Sequence, residues 1–163
     1  VQTCALPIYA ACNLAEKQAQ AQGFTQVLWL DAVERKYIEE VGSMNIFFVI
    51  DDEIVTPQLN GTILPGITRK SVLELARHWD LKTSERRISI DEVLEGLESG
   101  RVSEVFGAGT AAVISPVGLL HYRGQSSQVG DGQTGPVAKR FFQPLTAIQY
   151  GRENDPFRWV ETF

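Results

Sequence analysis

The sequence contains little that would support metal, disulfide or hydrolytic chemistry. Its 163 residues include two cysteines and two histidines, and no Cys-x-x-Cys pair. Cys4 and Cys12 stand eight positions apart without a nearby histidine, a spacing that does not make a zinc site. His78 and His121 are far apart and far from any serine-glycine elbow, so no catalytic triad is indicated. We therefore expect reduced thiols in a cytoplasmic protein and no bound metal.

Positive charge and long apolar runs are also scarce. The formal net charge of -5 at pH 7 argues against nucleic acid and anionic membranes as partners. The apolar run MNIFFVI is far shorter than the roughly 20 residues of a membrane span. No basic region with a long apolar stretch opens the chain, so we expect no signal peptide. The 44% hydrophobic and 21% charged residues are typical of one soluble globular domain.

Helix-forming and strand-forming segments alternate irregularly along the chain. A helix is predicted from Tyr9 to about Gln22, with Gly23 as its stop. KYIEEVGSMNIFFVIDDEIVTP predicts a strand, a Gly-Ser turn and a hairpin with its tip near Asp51 and Asp52. Further helices are predicted in LPGITRKSVLELARHW, in SIDEVLEGLESG and after TGP, and a surface loop in GQSSQVGDGQTG. Hairpins mixed with isolated helices indicate an α+β fold.

Two segments have backbone N–H groups suited to an anion. FGAGTAAVISPVG has the Gly-x-Gly-x-x-Ala spacing of a dinucleotide site, but β-branched AVISPVG follows where a helix is required. What remains is a tight turn from Gly107 to Ala112, which either packs closely or cradles an anion beside the Thr110 hydroxyl. In LPGITR, the N–H groups of Ile67 and Thr68 fall at a helix start and lack intrahelical acceptors. The two segments suggest a phosphate-bearing ligand without establishing one.

Two adjacent glutamates interrupt an otherwise apolar strand. Because neighbouring strand residues face opposite sides, we expect one of Glu39 and Glu40 to point inward. An inward carboxylate requires a cationic partner or a ligand, since burying it alone is costly. An exposed edge strand with both charges solvated is the other interpretation that the residues leave open.

Five segments together resemble one enzyme family. They are VLWLDAVERKYIEEVGSMNIFFV, NGTILPGITR, RRISIDEV, EVFGAGTAAVISPVG and GPVAKRFFQPLTAIQYG. In order and spacing the chain resembles the branched-chain amino-acid aminotransferases, which are fold-type-IV pyridoxal-phosphate enzymes. The resemblance covers 9–163 and implies the C-terminal, larger domain of such an enzyme, in which helices flank a mixed, barrel-like β-sheet. Residues 1–8 do not match the family, so we interpret them as foreign or as a truncation junction.

The resemblance also implies roles for individual residues. In the family, the acidic residue at the position of Glu40 pairs with the pyridine nitrogen and keeps the ring protonated, so that the ring withdraws electrons from the substrate's α-carbon. The implied cofactor-binding residues are Tyr9 (ring hydroxyl), Glu40, and, for the phosphate, Ile67, Thr68 and Thr110. The implied residues for the substrate carboxylate are Ser43 and the N–H group of Ala111. Pyridoxal 5'-phosphate is therefore the expected cofactor.

The resemblance implies reversible transfer of an amino group between leucine, isoleucine or valine and 2-oxoglutarate, by a cytoplasmic homodimer. In the family a lysine five residues before the tyrosine forms a Schiff base with the cofactor and moves the proton. Counting back five residues from Tyr9 leads to Cys4, and none of the lysines elsewhere in the sequence matches a catalytic position. The family's smaller N-terminal domain is also absent. We therefore expect a transaminase in the parent form and no activity in this chain alone.

Two other functions compete with this one. The first is another fold-type-IV activity, such as D-amino-acid transamination or aminodeoxychorismate cleavage. EEVGSMNIFF and GTAAVISPVG resemble the branched-chain subgroup more closely. The second is a non-catalytic cofactor-binding domain that has lost its lysine.

Overall fold

The helices and strands follow the order that their residue patterns predict. The computed structural model describes the backbone of residues 2–161 and the side chains of residues 12–161. The helices are α1 (Gln2–Ala21), α2 (Ile67–His78), α3 (Ile90–Glu98) and α4 (Pro136–Gln149). The strands are β1 (Leu28–Leu30), β2 (Ile38–Val41), β3 (Met44–Ile50), β4 (Glu53–Pro57), β5 (Thr83–Arg86), β6 (Val102–Gly109), β7 (Val113–Pro116), β8 (Leu119–Tyr122) and β9 (Gln125–Gln128). The mixture of hairpins and separate helices confirms the α+β class.

Strand β3 is the centre of a seven-stranded sheet. Along one edge, β6 pairs with it antiparallel from Asn45 to Ile50. Along the other edge, β2 pairs with its start and β4 with its end, and β1, β5 and β7 complete the sheet. Where β2 and β4 diverge, the Ile46 carbonyl accepts a hydrogen bond of 2.7 Å from the buried Thr56 hydroxyl. Thr56 belongs to β4, so its side chain extends the contact between β3 and β4 beyond the Phe48–Val55 pair.

The run MNIFFVI is almost wholly apolar because both faces of β3 are covered. Ile46, Phe48 and Ile50 pack into one core, which includes residues of α3. Phe47 and Val49 pack into a second core, with residues of α2 and α4. Because alternate strand residues face opposite sides, this one strand supplies both cores. Burying each such side chain stabilises the fold by about 1.5–3 kcal/mol.

Two segments differ from the sequence-based expectation. Helix α1 begins at Gln2 instead of Tyr9, although it ends as predicted beside Gly23, which has a φ of 87°. The predicted surface loop GQSSQVGDGQTG contains β9, which pairs with β8 across a turn at Arg123 and Gly124. Both turn residues have positive φ, 50° and 81°, the geometry that closes a two-residue hairpin. The strand was missed because Gln-Ser-Ser-Gln lacks apolar alternation.

Candidate functional site

The sheet brings most of the predicted site residues to one end. Glu40 pairs with Asn45, and Asn45 pairs in turn with Ala108, so β2, β3 and β6 lie side by side here. The turn between β2 and β3 contains Ser43, and the turn after β6 contains Thr110 and Ala111. The loop before α2 folds onto the same end, because the Leu64 N–H group donates to Glu40 Oε1 at 3.2 Å. Strand register and this loop therefore bring six of the predicted site residues to the same end of the sheet: Glu40, Ser43, Ile67, Thr68, Thr110 and Ala111.

A β-bulge turns both glutamates of β2 the same way. Leu30 pairs with Ile38 and Trp29 with Glu40, so Glu39 is an extra residue in β2. Ile38 and Val41 are buried, whereas the two residues between them are half-buried. Both carboxylates contact the loop before α2, Glu39 through the Thr62 hydroxyl and Glu40 through Leu64. The expectation that the two glutamates face opposite sides is therefore wrong, because the bulge interrupts the alternation.

The pKa of Glu40 is raised. Partial burial raises its pKa above the ordinary value, and the nearby Glu39 charge raises it further. The hydrogen bond from Leu64 acts in the opposite direction. Asn45 Nδ2 also donates to Glu40 Oε1, at 3.3 Å. The carboxylate is thus held by two donors on one oxygen, in surroundings that favour a cationic partner.

The start of α2 has no side-chain cap. Its N-cap is Gly66, and its first turn contains no acidic residue. Two other helices have described side chains in their first turns, and both are capped, α3 by the Ser89 hydroxyl and α4 by the Glu104 carboxylate. The first N–H groups of α2, at Ile67 and Thr68, therefore combine orphan donors with the positive end of the helix dipole. Such a helix start is suited to bind an anion.

Two glycines bring the turn after β6 close to the turn before β3. A Cβ atom on Gly107 would lie 2.9 Å from Met44 Cε, and one on Gly109 would lie 2.7 Å from Met44 Cγ. A side chain at either position would displace Met44 from its place. Thr110 and Ala111 follow directly and are exposed, as is Ser43. No helix follows this turn, which agrees with the rejection of a dinucleotide fingerprint.

The sequence patterns missed two residues near the site. They also singled out two residues whose side chains the structure does not describe. Asn45 and Gly66 lie between Glu40 and α2, and the only signal for Asn45 was a single amide within an apolar strand. The side chains of Tyr9 and Cys4 lie outside the described residues. Within the described part of the chain, no cluster of three or more histidine, cysteine, aspartate or glutamate residues is arranged to hold a metal ion. In the same part, no helix is long and apolar enough to cross a membrane.

Comparison with known proteins identifies the family. The model of the class IV amino-transferase family matches residues 3–120. Branched-chain-amino-acid aminotransferase 2 of Bacillus subtilis (strain 168) is 54% identical over 152 residues, which are 93% of this chain and 42% of that protein. The solved branched-chain amino acid aminotransferase of Escherichia coli superposes with a TM-score of 0.78 at 33% identity, covering 94% of this chain and 48% of that one.

A second solved structure carries a ligand. The T.th. branched-chain amino acid aminotransferase with pyridoxamine 5'-phosphate gives a TM-score of 0.74 at 32% identity, covering 89% of this chain and 43% of that one. The present chain thus spans less than half the length of these proteins. The fold is that of the fold-type-IV aminotransferases, as the sequence resemblance implied. Since the family model covers well over half of its residues, this chain belongs to the class IV amino-transferase family.

Proposed function

We propose that this chain is the cofactor-binding part of a branched-chain amino-acid aminotransferase that uses pyridoxal phosphate. The names of its relatives support the substrate class, and the pyridoxamine 5'-phosphate in one solved relative supports the cofactor. One observation carries the proposal: a half-buried carboxylate, Glu40, lies beside an uncapped helix start at Ile67 and Thr68.

The residues at this end of the sheet fit the two charged ends of pyridoxal phosphate. Its ring nitrogen can bear a proton, and its phosphate is an anion. Both donors that reach Glu40 from the described residues use Oε1, which leaves Oε2 for a pyridinium N–H group. The N–H groups of Ile67 and Thr68, with the exposed Thr110 hydroxyl, suit the phosphate. A negative group and a positive helix end thus match the two ends of the cofactor.

Each proposed residue has a defined task in the reaction. Pyridoxal phosphate, when bound, supplies the electron sink for the charge that develops at the substrate's α-carbon. Glu40 holds the proton on the ring nitrogen, and an ionised carboxylate does this best. The Ser43 hydroxyl and the Ala111 N–H group bind the substrate carboxylate and orient the amino acid. Tyr9 is proposed to bind the ring hydroxyl.

The catalytic lysine is the missing element, since Cys4 stands at its position. The lysines with described side chains lie elsewhere, on α1, before β2, on α2, before β5 and on α4: Lys17, Lys36, Lys70, Lys82 and Lys139. We propose that this chain binds the cofactor non-covalently and does not turn over substrate. We also propose that residues 1–8 contain a foreign segment or truncation junction, at the edge of the family match that begins at residue 3, and that the parent protein is a cytoplasmic homodimer.

Cofactor binding tests the first part of the proposal. We expect saturable binding of pyridoxal phosphate by the 163-residue chain, with no lysine labelled after borohydride reduction. Glu40→Gln should weaken binding at least tenfold, because a charge-assisted hydrogen bond worth roughly 1.5–3 kcal/mol is lost. Glu39→Gln is the matched control from the same bulge and should change affinity less than about threefold. Equal losses in the two variants, or covalent labelling of one lysine, would refute the assignment.

Turnover tests the substrate class. A complete polypeptide with lysine at position 4 and the upstream domain should transfer amino groups from leucine, isoleucine and valine to 2-oxoglutarate. The same polypeptide with cysteine at position 4 should be inactive. Turnover of D-alanine without turnover of the three branched-chain amino acids would favour another fold-type-IV activity.

A further inference from the structure

Asn45 occupies an unusual place for an amide. It is 5% exposed and lies in β3, which is otherwise apolar. Its Nδ2 donates to the Leu64 carbonyl at 2.9 Å and to Glu40 Oε1 at 3.3 Å. A buried amide is costly unless it is hydrogen-bonded, and here each of its two N–H groups has an acceptor. One side chain therefore connects the carboxylate on β2 with the loop that leads into α2.

Gly66 gives independent evidence that this position of Asn45 matters. The Gly66 backbone has φ of -63° and ψ of 139°, a conformation that any residue adopts. A Cβ atom at Gly66 would nevertheless overlap Asn45 Oδ1. The glycine at the N-cap of α2 is thus required by the neighbouring side chain and not by its own backbone. Asn45 contacts the helix start that is proposed to hold the phosphate.

We infer that Asn45 is a positioning residue, an inference that rests on the proposed function. It fixes the Glu40 carboxylate relative to the start of α2. It thereby connects the carboxylate proposed for the ring nitrogen with the N–H groups proposed for the phosphate. Asn45 donates to the ionised form of Glu40, which is the form that holds a proton on a pyridine nitrogen. Through Leu64 it also fixes the loop three residues before Ile67. A movement of the Glu40 carboxylate is therefore transmitted to the start of α2, and the reverse, through the side-chain amide of Asn45.

Few other charges face Glu40. The charged neighbour that acts on it is Glu39, from the same strand. The loop at 58–66 contains no ionisable side chain. On α2, Arg69 is bound to Glu85 at 2.7 Å and to the Pro57 carbonyl, and Lys70 pairs with Glu74. Burial, the Leu64 N–H group and Glu39 therefore act on the titration of Glu40, and variants of Asn45 measure what its donor at 3.3 Å adds.

The test is an NMR titration of the 163-residue chain without cofactor, so that it does not depend on whether the cofactor binds. Carbon-13 shifts give the titration midpoint of Glu40, and nitrogen-15 shifts follow the amides of Leu64, Ile67 and Thr68. Asn45→Ala should raise the Glu40 midpoint by about one pH unit, because a donor to the charged form is lost. The Ile67 and Thr68 amides should follow this titration in the wild-type chain and cease to follow it in the variant.

Gly66→Ala supplies a second, independent perturbation. By displacing Asn45 it should raise the Glu40 midpoint by a similar amount, and it should have no further effect in the Asn45→Ala background. Asn45→Asp retains the shape of the side chain and should raise the midpoint as well, which covers the case that the alanine variant fails to fold. Asn60→Ala is the matched control, since Asn60 bonds within the same loop to Thr62 but does not reach Glu40.

The outcomes separate this inference from the proposed function. An unchanged Glu40 midpoint in folded Asn45 variants, or additive effects of Asn45→Ala and Gly66→Ala, would overturn the positioning role. Midpoints that shift as expected in a chain that binds no pyridoxal phosphate would uphold the connection between Glu40 and α2 while refuting the proposed cofactor.

Discussion

Two carboxylates of this chain show how local surroundings set acidity at the scale of one residue. Asp31 follows β1 and is partly exposed, and its oxygens accept N–H groups from Glu34, Lys36 and Tyr37 at 2.6–2.9 Å. These backbone hydrogen bonds, with that of Tyr37 the largest cause, lower the pKa of Asp31 to about 2. Glu40 has two donors on one oxygen and is half-buried, and its pKa is raised. Backbone hydrogen bonds are the leading cause of the shift for Asp31, and desolvation is the leading cause for Glu40.

The depressed pKa of Asp31 predicts acid sensitivity. Because its folded pKa lies below the ordinary value of 3.8, the ionised form stabilises the fold above that pH. This contribution should be lost as the pH falls from about 4 to about 2. Asp31→Asn should remove that part of the pH dependence, measured as the free energy of urea unfolding across this range.

Asp52→Asn provides the comparison for Asp31. Asp52 lies at the tip of the β3–β4 hairpin with a φ of 63°, a conformation that asparagine tolerates. This substitution removes a carboxylate of the same type and is the matched control for the urea-unfolding curves. If Asp31→Asn leaves the acid limb of the curve unchanged, the role assigned to its three hydrogen bonds is wrong.

At the scale of secondary structure, the helix starts differ in the groups that accept hydrogen bonds from their first backbone N–H groups. The Glu104 carboxylate is 7% exposed and accepts the N–H groups of Val137 and Ala138 at 2.8 and 3.0 Å. A Cβ atom on Gly135 would overlap that carboxylate, so glycine precedes the helix for the same reason as at Gly66. An internal carboxylate thus completes α4, while α2 is left open toward the proposed phosphate site.

The buried cap of α4 predicts a large cost for a small change. Glu104→Gln keeps one acceptor oxygen but directs an NH2 group at the second backbone N–H. Leaving that donor unsatisfied should destabilise the chain by about 1–3 kcal/mol in urea unfolding. Glu98→Gln, at the exposed end of α3, should stay within about 0.5 kcal/mol of wild type. A Glu104→Gln variant as stable as the Glu98 control would contradict the capping role.

The sequence predicted most elements but not the departures from regular geometry. The hairpin tip at Asp51 and Asp52 was predicted correctly, since both residues have positive φ. So was the helix in SIDEVLEGLESG, where Ser89 caps the first turn of α3, because a short polar side chain before a periodic segment is a local signal. The bulge at Glu39 was missed, because it depends on the register with β1 and changes no residue type. Non-local pairing leaves no trace in a local pattern.

The site itself was predicted only as separate pieces. Glu40, Thr68 and Thr110 were singled out individually, but their proximity depends on which strands adjoin β3. Their proposed roles came from the family resemblance. Asn45 and Gly66 were missed because each matters only through the other. The sequence therefore indicated which residue types the proposed site contains, and the fold shows which of these residues lie close together.

At the scale of the whole molecule, the interior formed by the described residues is organised around β3. Both cores include residues of β3 that are at most 6% exposed. None of the described α1 side chains, residues 12–21, is buried. A cavity of about 540 Å³ is lined by Ala15 and Ala19 on one side and by Val41 and Met44 on the other. Residues 12–21, the part of α1 with described side chains, therefore add no buried residue to either core.

This difference predicts uneven protection against hydrogen exchange. Amides of β3 should exchange most slowly, because their strand has neighbours on both edges and cores on both faces. Amides in residues 12–21 should exchange fastest among the helices, by at least about a hundredfold relative to β3. Hydrogen exchange followed by mass spectrometry measures both. Equal protection of α1 and β3 would contradict this description.

The extra residue at Glu39 makes the length of β2 a determinant of side-chain direction. Deleting one residue between Ile38 and Val41 would restore regular alternation and turn one of the remaining positions toward the core. A point substitution changes the chemistry of one carboxylate, whereas a one-codon deletion changes the direction of the strand's side chains. In evolutionary terms, a residue exchange in this strand keeps the direction of its neighbours, whereas an insertion or deletion changes that direction.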